Sequence, residues 1–272
     1  MRKFFRQGVI HVFSLLLVAS FLSPSANAGI YLEGDEPPLA RFVPPPPAND
    51  SPETRREIDE LLQLQRERTP KEVEYARANV AIGIEQFAGV LGNEAEAKKG
   101  LPDSVRALFQ ATRDDEKKLL DAAKKHFDRP RPIALDPRIK PVLEPIFNMA
   151  YPSGHATWVF MTAVLLADMV PERRAAIWGR AEDFAHQRLV GGVHYRSDID
   201  AGRIAGAVVA SYFLESDRYV DAAAKAAADL RAFLKLPPLD NAPPKSVQDA
   251  SSGDIGPRDV PLPASAASSL AF

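Results

Sequence analysis

Apolar residues in this chain fall three and four positions apart through most of its length, and no run alternates with the period of two that a half-buried strand requires. Helices are therefore expected throughout. After Ser51, a natural N-cap followed by Pro52 in the first turn, Ile58, Leu61, Leu62 and Leu64 mark the inner face of a first helix, opposite a charged face that begins at Thr54. Thr69-Pro70 opens a second, with Val73, Ala76, Val80 and Ile84 at helical spacing. A third is predicted from about Pro102 to His126 along Val105, Leu108, Phe109, Leu119 and Leu120. Five prolines between Arg129 and Pro145 exclude a regular element there. From Ser153 to Met169 the chain is apolar on nearly every side, which reads as a buried central helix rather than a membrane span, because His155 and Asp168 bracket it. Further helices are expected from Pro171 to about Val190 and from Asp198 to Leu214, and an Ala-rich amphipathic one from Asp217 to Leu236. The pattern predicts an all-α fold, a single-domain helical bundle around a buried central helix.

The two ends depart from this pattern. Residues 1–28 have a basic start (Arg2, Lys3, Arg6), an apolar run from Val9 to Leu22 and small residues at Ala26 and Ala28, the arrangement of a secretory signal peptide cleaved after Ala28. The alternative, an uncleaved anchor, needs an apolar run of about 20 residues. The mature chain is thus expected to be exported, and periplasmic in a Gram-negative cell. Residues 29–52 form a Pro-rich N-terminal segment whose run Pro44 to Pro47 must be extended, lying along the folded body. Residues 53–238 make the helical domain. Residues 239–272, rich in Pro, Ser, Ala and Asp without periodicity, are expected to be a disordered tail.

Composition sharpens the charge picture. The formal net charge is −2 for the whole chain, and loss of the leader with its three positive charges moves it to −5. Such a chain has no global attraction for nucleic-acid polymers or anionic membranes, and no membrane span is expected once the leader is gone. It contains no cysteine, so an exported form is held together by its core alone, for which 244 of its 272 residues suffice. The Pro-rich segment and long apolar helices would suit a homodimer.

Against that acidic background, three short segments concentrate cations and histidines: Lys124 to Pro132, Pro152 to His155, and Arg188 to Asp198. Lys124, Arg131 and Arg188 would repel one another if gathered without an anion, and a phosphoryl group is the ligand best matched to them. Arg131 is held between Pro130 and Pro132, whereas a basic residue near a helix end, such as Lys124, equally serves the helix dipole. The neighbouring Lys125 and Arg129 are read as solvent-facing or supporting. Ser153 is a natural N-cap for the central helix, leaving the N–H groups of Gly154 and His155 at its positive end, where an anion binds and His155 can give a proton to a departing oxygen. Taken alone, that segment reads as an ordinary capped helix with a surface histidine. His194 and Asp198 are four residues apart across a helix start, so the carboxylate can orient the ring and leave its other nitrogen free as a nucleophile. Asp198 is also available as a cap, with a box formed by Ser197 and Asp200. Gly191-Gly192 would remove bulk where a substrate lies.

In this order Lys-x6-Arg-Pro, Pro-Ser-Gly-His and Arg-x5-His-x3-Asp resemble the signature of the type 2 phosphatidic acid phosphatase and vanadium haloperoxidase superfamily. Within it the chain is most similar to the bacterial class A non-specific acid phosphatases, over about residues 40–215. Phe42 to Pro47, Tyr151 to His155, and Gly192 to Tyr195 leading into Ser197 to Gly202 carry that likeness. One departure is Gln187 before Arg188, where the wider superfamily has Ser. The resemblance implies that Lys124, Arg131, Ser153, Gly154 and Arg188 bind phosphoryl oxygens, that His194 is the nucleophile and His155 the general acid, and that Asp198 partners His194. It implies an acid phosphatase acting on small-molecule phosphomonoesters of broad range through a phosphohistidine, with no metal or cofactor required and with phosphotransfer to alcohols as a side activity. Phosphate or vanadate fits the same site, so a vanadate-dependent haloperoxidase is the first rival, and a non-enzymatic phosphate-binding helical envelope protein the second.

Overall fold

Several helix starts among the described residues are set by a local device that the sequence carries. A computed structural model describes residues 29–92, 100–143 and 149–239; the signal peptide expected at 1–28 and, apart from Leu239, the tail expected over 239–272 lie outside them. Seven longer helices are labelled here: α1 (Pro52–Glu67), α2 (Pro70–Ala78), α3 (Asp103–Phe127), α4 (Gly154–Met169), α5 (Arg174–Val190), α6 (Arg196–Leu214) and α7 (Asp217–Phe233). Among the described residues there is no strand. The Ser51 hydroxyl caps α1 by accepting from Thr54 N at 3.1 Å. Thr69 and Glu72 form a reciprocal box at the start of α2, each satisfying one of the N–H groups that a helix start leaves without a partner.

The central helix is where it was expected. Ser153 is its N-cap, and Trp158, Phe160, Met161, Leu165 and Leu166 are all buried. Each contributes about 1.5–3 kcal/mol from removal of apolar area from water. Against it α6 packs most extensively, followed by α5. Glycine makes that approach close: an added Cβ at Gly202 would lie 2.6 Å from Ala156 Cβ, and one at Gly206 only 2.5 Å from Thr157 O. The compact unit ends at Leu236.

Three boundaries differ from expectation. α7 stops at Phe233, short of Leu236, with Lys235 in the left-handed region (φ 57°). One helical turn, Pro132–Leu135, interrupts the Pro-rich stretch after α3. The larger difference is α2, whose apolar spacing runs on to Ile84 while the helix ends at Ala78. Asn79 Nδ2 folds back onto Tyr75 O at 2.8 Å. Arg188 takes Asn79 O at 2.7 Å and Ala76 O at 3.3 Å, so the acceptor that another turn would use is occupied. Arg180 then fixes the segment beyond, donating to Asn79 Oδ1 at 2.5 Å and Gln86 Oε1 at 2.7 Å. Val80 is left exposed instead of facing the core.

The Pro-rich segment is tied to the helical body by two tyrosine hydroxyls, Tyr151 donating to Pro44 O at 2.6 Å and Tyr212 to Pro37 O at 2.9 Å.

Candidate active site

α3 ends because Asp128 adopts a left-handed conformation (φ 47°) and donates its N–H to Lys124 O at 2.9 Å. The chain then carries Arg129 and Arg131 to opposite ends of one His–Asp pair. His194 Nδ1 lies 2.9 Å from Asp198 Oδ2. Arg131 Nη1 lies 2.7 Å from His194 Nε2 and donates to Val193 O at 2.7 Å. Since a guanidinium can only donate, Nε2 must accept, and the ring proton is assigned to Nδ1, where it donates to Asp198. The pair therefore holds a neutral imidazole with an Nε2 lone pair. Burial, reinforced by Arg131 and Lys124, holds His194 well below the usual histidine range.

Asp198 is fully buried, and desolvation pushes its carboxyl up to about 6 against the pull of Arg129. Its Oδ1 accepts from Arg129 Nη1 at 2.7 Å, and its Oδ2 also accepts from Tyr195 N at 2.9 Å. Asp198 thus caps its own helix as well as orienting His194. The box expected of Ser197 and Asp200 does not form, because the Ser197 hydroxyl accepts from Arg129 at 2.7 Å. Arg129 is 2% exposed, donates to Glu57 Oε2 at 2.9 Å and lies 3.9 Å from the centre of the Tyr195 ring. Of the two residues read as solvent-facing or supporting, Lys125 is exposed and Arg129 is the support.

The expected phosphate ligands converge from three directions. Arg188 is buried, with Nε lacking a partner among the described residues; burial and Arg131 lower it to about 10. Lys124 donates to Met149 O at 2.8 Å, and burial with the nearby Arg131 lowers it to about 7. A Cβ on Gly154 would lie 3.8 Å from Lys124 Cε, so the lysine stem runs beside the start of α4. Ser153 is fully buried; its hydroxyl faces Ala156 N at 3.4 Å, and its own N–H donates to Asp198 O at 2.9 Å, locking α4 to α6. Among the described residues the N–H groups of Gly154 and His155 have no acceptor. His155 Nε2 donates to Val80 O at 3.0 Å and its ring stacks on Phe184. Burial and the Arg188 charge push it down to about 3.

A cleft of about 590 Å³ opens over this group. Arg131, Arg188, His155 and His194 line its polar side, and Val80, Val142, Leu143 and Val193 its apolar side, with Arg77 at the exposed rim. No carboxylate lies on its wall among the described residues. Lys124, Ser153, Gly154 and Asp198 are not among the residues that line it. The two glycines before His194 are not on it either. A Cβ on Gly191 would lie 2.6 Å from Leu143 Cδ1, and Gly192 takes a left-handed turn (φ 73°) against Pro141, so they serve packing and backbone geometry, not substrate room. Gln187 turns away to Asp183, donating at 3.0 Å. Arg77 is a residue of the cleft wall that sequence reasoning passed over. Among the described residues no group of three or more His, Asp or Glu side chains is arranged to hold a metal, and no helix is long and apolar enough to cross a membrane.

Comparison with known proteins falls on the same residues. The model of the PAP2 superfamily matches residues 118–220, a span that contains all eight expected site residues. The non-specific acid phosphatase of Salmonella typhi is 27% identical over 200 residues, covering 71% of this chain and 80% of that protein. An acid phosphatase of Zymomonas mobilis is 42% identical over 55 residues, 20% of this chain and 21% of that one. The crystal structure of a bacterial vanadium-dependent iodoperoxidase shares the fold, with a TM-score of 0.51 and 20% identity over 65% of this chain and 53% of its own. The segment that matches the PAP2 superfamily model folds as the end of α3, the whole of α4, α5 and α6, and the first residues of α7.

Proposed function

We propose that the protein is an exported acid phosphatase that hydrolyses small-molecule phosphomonoesters through a phosphohistidine on His194. One observation carries this reading: the Asp198–His194–Arg131 alignment, in which Nδ1–H is held by a carboxylate and the Nε2 lone pair is kept by a cation that a phosphoryl group would draw away. The Salmonella relative, named a non-specific acid phosphatase, supports it.

In the first step Nε2 of His194 attacks phosphorus, the bond from phosphorus to the ester oxygen breaks, and His155 gives that oxygen a proton. In the second, water attacks phosphorus, the N–P bond breaks, and His155 takes the proton from water. Arg131, Arg188, Lys124 and the free N–H groups at the start of α4 would neutralise the phosphoryl oxygens, which is the larger part of catalysis for this chemistry. Since His155 is depressed to about 3 by burial and by neighbouring cations, it starts neutral. An anion among Arg131 and Arg188 offsets the charge that depresses it, so binding and protonation are linked. A monoanionic ester brings the proton with it, which favours acidic pH. The apolar wall offers the alcohol few directional contacts, in keeping with a broad substrate range. Phosphate or vanadate would occupy the same place, and the periplasm is the expected compartment.

The test is rapid quench with labelled ester. An acid-labile phosphoenzyme is expected in the wild type and none in His194→Ala; a label that survives the substitution removes His194 from the role. Halide oxidation by peroxide with added vanadate, in the absence of ester hydrolysis, would replace this reading with a haloperoxidase.

A further inference from the structure

Arg77 has no part in the chemistry above, yet it lies on the wall of the same cleft. It projects from the last turn of α2, its Nε donates to Val142 O at 3.1 Å, and it is exposed. That bond fixes the plane of the guanidinium, while its two terminal nitrogens have no partner among the described residues. Among the described residues no carboxylate lines the cleft to neutralise it. The nearby Arg68 adds to the positive field, and its own donors are spent on Val190 O at 2.8 Å and Lys140 O at 2.7 Å. A fixed guanidinium with two free donors matches a carboxylate or a phosphate through paired N–H bonds. The cleft that Arg77 shares with the deep cations Arg131 and Arg188 is also lined by the apolar Val80 and Val142, and it has a volume of about 590 Å³, room for a small ester.

We propose that Arg77 forms a second anion subsite at the rim of the cleft, so that the preferred substrates are phosphomonoesters whose alcohol carries its own carboxylate or phosphate on a short carbon skeleton. This rests on the phosphatase reading, since it takes the first phosphoryl group to be held at the base. The second anion lies on the leaving group and takes no part in bond breaking, so it acts on KM more than on kcat. A partly exposed charge pair of this kind is worth up to about 1 kcal/mol, or about fivefold.

Matched pairs of esters test it: phosphoglycerate against glycerol phosphate, which differ by a carboxylate for a hydroxymethyl group, and glycerol bisphosphate against glycerol phosphate. For each pair the ratio of KM values is expected to favour the doubly anionic ester by about fivefold in the wild type and to fall to about one in Arg77→Gln, with Arg77→Lys between. A preference for only one member of the carboxylate and phosphate pairs tells which anion the subsite takes. Ratios near one in the wild type, or unchanged in Arg77→Gln, overturn the subsite while leaving the phosphatase reading intact. Calorimetric titration of His194→Ala with the same esters reads the preference without turnover. An absence of hydrolysis of every ester, p-nitrophenyl phosphate included, would remove the phosphatase reading, and the titration would still decide the subsite.

Discussion

Arg129 donates to Asp198, Ser197 and Glu57 from within the interior, and it supplies the cation that holds the buried Asp198 carboxylate against desolvation. Arg129→Gln is expected to cost about 3–5 kcal/mol of stability, the usual penalty for leaving one member of a buried ion pair alone. A stability loss alone would be merely structural. Without the cation, however, the Asp198 carboxyl takes up its proton at higher pH, so the acidic limb of the kcat/KM profile should move upward in pH. A profile that keeps its shape while Tm falls would confine Arg129 to folding. The eight expected residues could be singled out in the sequence because phosphate chemistry demands an uncommon set: converging cations, a helix N-terminus, and two histidines with one carboxylate. Arg77 was not, and Arg129 could be read only as solvent-facing or supporting. A basic residue near a helix end is ordinary, and only folding reveals that one is buried against Asp198 and the other stands at a cleft.

The contact between α4 and α6 decides whether Ser153 and Asp198 meet. At Gly206 an added Cβ would lie 2.5 Å from Thr157 O and 2.8 Å from Met161 N, both backbone atoms that cannot rotate aside. Gly206→Ala is therefore expected to force the helices apart at a cost of about 1–3 kcal/mol, read as a lower Tm. It should also reduce kcat, because the bond from Ser153 N to Asp198 O spans the same interface; an unchanged Tm would mean that the helices slide freely. Apolar periodicity found these helices because their faces are wide and continuous, α4 above all. It failed at the end of α2, where Val80 and Ile84 keep helical spacing but Arg188, more than a hundred residues later, captures the carbonyls that would have continued the helix. No local pattern carries information about so distant a donor.

Across the whole molecule, buried titratable groups make stability depend on pH in two opposed ways. His155, lowered to about 3, and His194, held well below its ordinary value by burial, bind fewer protons folded than unfolded, so their contribution is full above the ordinary histidine value of 6.5 and is lost as pH falls below it. Glu116 is pushed up to about 8 by burial, so it erodes stability as pH rises from 4.5 toward that value. Sulfate remains a dianion across this range, so the pH dependence of its binding comes from the protein, from the histidines together with Lys124, which is lowered to about 7. Bound among Arg131 and Arg188 it should ease protonation of the histidines, so the rise in Tm that it produces is expected to be larger at about pH 5 than at about pH 7.5. Equal rises would show that the histidines do not titrate with the ligand. The early end of α2 gives this coupling a further meaning. The carbonyls of Ala76, Asn79 and Val80 hold Arg188 and His155 in the free protein, acting as an internal stand-in for an anion. Ligand affinity is then an exchange energy rather than a gain from bare donors, and a weakly accepting ion such as chloride has little with which to win that exchange. A phosphoryl group brings several strong acceptors at once, so this competition selects for it before any chemistry begins.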